Sequence, residues 1–173
     1  QLQQLNTIAR RQVLDRHLEN GVDIPLEDGV MIGPGVRIAP DTRILPGTIL
    51  EGETSIGPGC TIGPNSYLKD TTVGEDSQVK ASWLTQSRVG SHTSIGPFSQ
   101  LRPGSAVGDH VKIGDFVELK NTTLGDHTSV AHLTYLGDSR VGQWCNFGCG
   151  VVVANYDGNH KDETVGGDRV FVG

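Results

Sequence analysis

The stretch Ile32–Leu68 reads IGPGVRIAPDTRILPGTILEGETSIGPGCTIGPNSYL, and an aliphatic residue returns at every sixth position: Ile32, Ile38, Ile44, Leu50, Ile56, Ile62 and Leu68. A short fixed period of this kind marks a solenoid, in which each repeat stacks its inward side chain on that of a neighbouring coil. Gly often follows the aliphatic (Ile32-Gly33, Ile56-Gly57, Ile62-Gly63), and a small residue often stands four places after it (Thr48, Cys60, Ser66). Between them fall Pro34-Gly35, Pro40-Asp41, Pro46-Gly47, Pro58-Gly59 and Pro64-Asn65. These residues have fixed or permissive φ and mark corners between short strands.

Outward from this stretch the count resumes at Val73, Val79, Leu84, Val89, Ile95, Leu101, Val107, Ile113, Leu119, Leu124, Val130, Leu136, Val141, Phe147 and Val153, and is expected again at Val165 and Phe171. The step from Val153 to Val165 is twelve residues long. The segment 154–164 therefore cannot stay in the wall and is expected to leave it as a loop. Loops on rigid scaffolds commonly carry binding residues. Ahead of the repeats, Leu2, Leu5, Ile8, Ala9, Val13, Leu14 and Leu18 form an apolar stripe that predicts a helix over 2–20, with Gly21 as its stop. The chain thus divides into a linker or capping helix at 1–21 and a solenoid at 22–173. It stops in mid-repeat at Val172-Gly173. The bare edge left there is expected to be covered by more chain or by a partner.

Aromatic residues make up only 5% of the chain and Gly accounts for 24 residues, so a narrow prism lined by Ile, Val and Leu fits better than a bulky core. A net charge of −6 argues against nucleic acid as a partner. No apolar run approaches the ~20 residues that cross a bilayer, so no membrane is expected. Three cysteines do not suggest a disulfide framework, and Cys60 and Cys145 occupy small repeat positions. A reducing cytoplasm is the expected compartment.

The repeat also says which outward side chains meet. Leu101, Leu119, Leu136 and Val153 fall on one side of the prism, and Ile113, Val130 and Phe147 on another. Arg102 and Lys120 then stand side by side at the ~4.8 Å strand spacing. Two cations at that distance repel by about 1 kcal/mol in water, and an anion between them reverses the sign. Guanidinium suits phosphate geometry. The alternative is two solvated cations splayed apart. Tyr135, before Leu136, either joins that anion through its hydroxyl or simply packs. His132 and Cys149 each lie two places after their aliphatic and so stack in successive coils. An imidazole, with an ordinary pKa of ~6.5, is a competent general base; the alternative is a surface histidine without a role, the reading kept for His17, His92, His110, His127 and His160. The spacing of His92, His127 and His132 resembles the zinc ligands of gamma-class carbonic anhydrases, another hexapeptide family. In this count, however, His92 and His127 do not share a repeat phase, and no metal is expected.

Several stretches together resemble a more particular family. They are Leu101-Arg102-Pro103-Gly104, Phe116-Val117-Glu118-Leu119-Lys120-Asn121, Ala131-His132-Leu133-Thr134-Tyr135-Leu136-Gly137-Asp138, Asn146-Phe147-Gly148-Cys149-Gly150 and Asn155-Tyr156-Asp157-Gly158. In order and spacing they resemble the acetyltransferase half of the bacterial glucosamine-1-phosphate N-acetyltransferase/N-acetylglucosamine-1-phosphate uridyltransferase family, without its last coils. The resemblance implies an all-β solenoid, a left-handed parallel β-helix with an N-terminal α-helix; the handedness comes from the family and not from the count. It implies a cytoplasmic homotrimer that moves an acetyl group from acetyl-CoA to the amine of glucosamine 1-phosphate. His132 would be the general base. Arg102, Lys120, Tyr135 and Lys161 would hold the sugar phosphate, and Asn146 and Asn155 the sugar. Cys149, Asn155 and Tyr156 would lie toward acetyl-CoA. Cys149 stands where many members carry Ala, Ala131 where Gly or Pro is commoner, and Asp162 and Glu163 where apolar and basic residues are commoner. Another sugar acetyltransferase of the same fold, or a trimerisation module without activity, are the alternatives.

Overall fold

The computed structural model describes all residues, 1–173. One helix, α1 (Leu2–Glu19), precedes a parallel β-solenoid of about seven turns, a left-handed β-helix of hexapeptide repeats. Its strands are two to four residues long and fall into three parallel sheets, one per face of the prism. Face 1 stacks Ile32, Leu50, Leu68, Leu84, Leu101, Leu119 and Leu136 in register. Face 2 stacks Ile38, Ile56, Val73, Val89, Val107, Leu124 and Val141. Face 3 stacks Ile44, Ile62, Val79, Ile95, Ile113, Val130 and Phe147.

All of these ladder residues are buried, and burying each aliphatic side chain is worth about 1.5–3 kcal/mol. The small residue at the corner is buried too, because a larger one would not fit where the chain turns. Its hydroxyl commonly meets a carbonyl of the next coil, as Thr122 Oγ1 does with Leu136 O at 3.0 Å, which satisfies the buried polar atom; Ser105 Oγ is the exception, buried without a partner. Corners turn through left-handed backbone at residues such as His110, Phe116, Asn121, His132 and Asp138, with φ of 56°, 57°, 47°, 63° and 48°.

Two expectations need correction. Val165 and Phe171 do not enter the core. They pair with Arg140 and Asn146 on the outside, and Gly166 and Val172 take the inward positions beside Val141 and Phe147. The insertion is one residue longer than an unbroken count allows, and a slip of one reverses every side chain beyond it. The helix also buries less than its stripe promised: Leu14 and His17 are covered, whereas Leu2, Leu5, Ile8 and Leu18 stay exposed. It is tied to the first coil by Arg10, whose guanidinium donates to Val30 O at 3.0 Å and Glu27 O at 2.7 Å.

Candidate active site

On face 1 a residue follows each inward aliphatic at the end of the strand, and in two successive late coils it is a cation, Arg102 after Leu101 and Lys120 after Leu119. Leu101 pairs with Leu119, which sets Arg102 beside Lys120, and Lys120 pairs with Gly137 in the following coil. The sequence reading leaves these two cations bare; the structure gives each a carboxylate. Arg102 Nη1 donates to Glu118 Oε1 at 2.9 Å, and Lys120 Nζ lies 3.8 Å from Asp138 Oδ2. Repulsion between the cations is thereby relieved in the resting protomer. The arrangement presents two ion pairs whose cations face a common edge. The Arg102 pair is exposed enough to exchange partners at little cost.

Asp138 is the hub of this edge. It accepts from Asn121 Nδ2 at 2.7 Å and from Asn155 Nδ2 at 2.5 Å. The Asn121 amide holds its carboxyl below the usual carboxylate range, helped by the charges of Lys120 and Lys161 and by Asn155, against partial burial. Asn155 is itself buried, and its carbonyl accepts from the Asp162 N–H at 2.9 Å. The base of the extruded loop is therefore pinned to the wall. The loop closes on itself through an antiparallel bridge between Tyr156 and Lys161, and the wall resumes at Thr164. The Tyr156 hydroxyl donates to Gly158 O at 2.6 Å, within the loop.

Tyr135 stands outward between Glu118 and Val152. Its ring folds over Gly137: a Cβ added there would lie 2.3 Å from the hydroxyl oxygen. The lack of a side chain at Gly137 is what lets the hydroxyl reach the position opposite Lys120. Arg102, Lys120, Tyr135 and Asn155 are thus drawn to one edge, and Lys161 on the loop acts on Asp138 through its charge.

The other expected residues occupy the adjoining corner, between faces 3 and 1. His132 lies three residues before Tyr135, no more than about 10 Å of backbone away. Its side chain is 63% exposed, and Nδ1 lies 3.1 Å from Asp115 Oδ1. Gly150 N donates to His132 O at 2.9 Å, which places the exposed Cys149 in the coil directly beyond. Asn146 projects from face 3, exposed, on the same coil as Cys149. Phe98, Phe116 and Leu133 are exposed along this corner, and the two phenyl rings stack with centroids 5.7 Å apart. The wall here is open. Clefts lie elsewhere on the molecule, among them one between α1 and the first coil and one beside Trp83 and Asn65.

Sequence reasoning missed Asp115, Glu118, Asn121 and Asp138. Each lies one coil from a residue it did pick, so the register that paired Arg102 with Lys120 was signal enough to find them. It also misplaced the other histidines. His92 and His127 share one corner, two coils apart, with His110 stacked between them at centroid distances of 4.9 and 4.8 Å. Each of the three lies three residues after its face-2 aliphatic (Val89, Val107, Leu124), and the five-residue step from Leu119 to Leu124 makes the second coil 17 residues long, so the separation of His92 and His127 is not a multiple of six. The rings lie nearly parallel, at 13° and 2°, so their nitrogens do not converge on a point as zinc ligands must.

A family model described as the GMPPB C-terminal domain matches residues 28–115. Over all 173 residues the chain is similar to the bifunctional protein GlmU of Clostridium acetobutylicum, at 46% identity. It is similar over the same length to that of Acetivibrio thermocellus, at 47%. The chain spans 38% of the length of each of these relatives. Among solved structures, a UDP-N-acetylglucosamine acyltransferase superposes with a TM-score of 0.63 at 17% identity, covering 73% of this chain and 60% of that one. The UDP-N-acetylglucosamine acyltransferase from Campylobacter jejuni gives 0.51 at 11% identity, covering 76% and 67%. At these identities the structures speak for the fold alone.

Proposed function

Since the chain belongs to the GMPPB C-terminal domain family, and is similar along its whole length to bifunctional GlmU proteins, we propose that it acetylates glucosamine 1-phosphate with acetyl-CoA. The observation that carries the reading is the edge on which Arg102 and Lys120 stand in adjacent coils with Tyr135 in the next, one short strand from His132; Lys161 joins them from the loop in this reading. In this reading the sugar phosphate exchanges for Glu118 on Arg102 and adds to Lys120, Lys161 and the Tyr135 hydroxyl. Asn155 and Asn146 orient the sugar. His132 takes a proton from the amine as its nitrogen attacks the thioester carbonyl. The N–C bond forms, the C–S bond breaks, and the thiolate leaves to be protonated as coenzyme A. Cys149, small and exposed beyond His132, lines the approach of the thioester, with Tyr156 on the loop side.

The open wall supports a homotrimer. A site with His132 on a flat surface and three apolar side chains beside it needs a second wall to exclude water, and a neighbouring copy supplies one. A soluble, cytoplasmic setting fits this chemistry; no helix is long and apolar enough to cross a membrane.

The test is thiol release from acetyl-CoA, run with glucosamine 1-phosphate and with free glucosamine, on this chain and on one extended at its C-terminus. Release that depends on the phosphorylated sugar supports the reading. Release with free glucosamine alone points to a different sugar acetyltransferase. No release from either protein, with acetyl-CoA left unbound, overturns it in favour of a trimerisation module.

A further inference from the structure

Resting on the reading of His132 as the base, we propose that Asp115 is a positioning residue that fixes the His132 tautomer, keeping the proton on Nδ1 and the lone pair of Nε2 toward the amine. A neutral imidazole can act as a base only through the nitrogen that lacks a proton, and left to itself it samples both tautomers. A carboxylate can only accept a hydrogen bond. Asp115 Oδ1 sits 3.1 Å from His132 Nδ1, so the proton belongs there and Nε2 is left free on the exposed side of the ring. The contact is close but not linear in the resting protomer; such contacts at reacting sites commonly straighten when substrate binds.

The backbone makes the pairing specific to this corner. Asp115 O accepts from Leu133 N at 3.4 Å while Gly150 N donates to His132 O at 2.9 Å, so the corner is held from the coil on either side. His132 and Leu133 both adopt left-handed backbone, with φ of 63° and 58°. These two successive residues set the ring over Asp115. No other histidine has a carboxylate this near: the Asp76–His92 and Asp157–His160 contacts are 3.8 and 3.6 Å. With both side chains partly exposed, the pair adds little to stability, and its effect falls on orientation.

The experiment is ¹⁵N NMR of the His132 ring in the histidine-labelled full chain at pH 8, where an ordinary imidazole is neutral, joined to steady-state thiol release. The wild type is expected as the Nδ1–H tautomer, and Asp115→Ala and Asp115→Ser as mixtures rich in Nε2–H. Both variants are expected to lose kcat by roughly 10- to 100-fold, well short of the ~10⁴-fold of a buried triad aspartate. KM for both substrates should stay within about threefold, and Asp115→Glu should recover part of kcat. A wild-type ring already in the Nε2–H form, or one unmoved by both truncations, overturns the proposal. The NMR result stands apart from turnover: a chain that shows the tautomer shift yet never acetylates glucosamine 1-phosphate refutes the acetyltransferase reading and leaves the pairing of Asp115 with His132 intact.

Discussion

Two corners of the prism place histidine in left-handed backbone, and the contrast between them shows how the neighbouring coils give the same residue two different surroundings. At one corner His92, His110, His127 and Trp144 stack in successive coils, the last pair at 4.0 Å. Each ring is backed by another ring, a contact worth about 0.5–1.5 kcal/mol beyond area burial. At the other corner the coil before His132 offers Asp115 and Phe116, and the coil after it offers Cys149 and Gly150. There the imidazole faces a carboxylate on one side and open space on the other. Residue type and backbone are the same; the register neighbour sets what each ring faces.

The largest effect expected from breaking this contrast is at His132. His132→Ala should lower the acetylation rate by roughly 10²-fold or more with sugar-phosphate binding kept, while His110→Ala should leave the rate within about twofold. Equal losses in thiol release from both variants would erase the distinction between the corners.

Next comes the neighbouring edge. Arg102→Ala removes one of its cations and should weaken glucosamine 1-phosphate binding by about 1.5–3 kcal/mol, the range for hydrogen bonds to charged groups. Titration calorimetry reads this directly; unaltered affinity would mean that Arg102 serves only Glu118. Gly137→Ala should act in the same direction more weakly, because a Cβ 2.3 Å from the Tyr135 hydroxyl must displace that ring. A rise in KM for the sugar phosphate is expected, with the coenzyme A side unaffected.

The smallest effects are in pH. Asp138 has its carboxyl held low by Asn121, Lys120, Lys161 and Asn155. Its stabilising contribution is present above the ordinary carboxylate range and is lost as pH falls through the lower folded value, so the extruded loop should loosen only below about pH 4. His17 is buried with both ring nitrogens unpartnered, and burial, aided by Arg16, pushes its pKa down. The neutral form favours the docked helix, and that support fades as pH falls below the ordinary histidine value of ~6.5. Hydrogen exchange across α1 and across 154–164 should show the helix opening first on acidification. Opening in the reverse order would contradict both assignments.

The inward ladder from Ile32 to Phe147 was legible because stacking enforces its own period: each aliphatic must land on the last. Legibility failed where that constraint lapsed. Beyond the extruded loop nothing in the spacing marks whether Val165 or Gly166 faces in, since the loop absorbs any number of residues. The cations Arg102 and Lys120 could be paired from spacing alone. Their carboxylates stand in the next coil but off the cations' own register, Glu118 opposite Gln100 and Asp138 after Gly137, so spacing brings them near without pairing them. The bond from Asn155 to Asp138 joins the loop to the wall, and no period predicts where a loop returns.

The central claim is that register joins Arg102 and Lys120 to His132 as one site. It is tested most directly by thiol release with glucosamine 1-phosphate and free glucosamine on the assembled enzyme, comparing the wild type, Arg102→Ala and His132→Ala. The account predicts that Arg102→Ala loses the preference for the phosphorylated sugar while keeping its rate at saturation, and that His132→Ala loses the rate while keeping sugar-phosphate binding. An Arg102→Ala enzyme that still prefers the phosphorylated sugar as strongly as the wild type would contradict it.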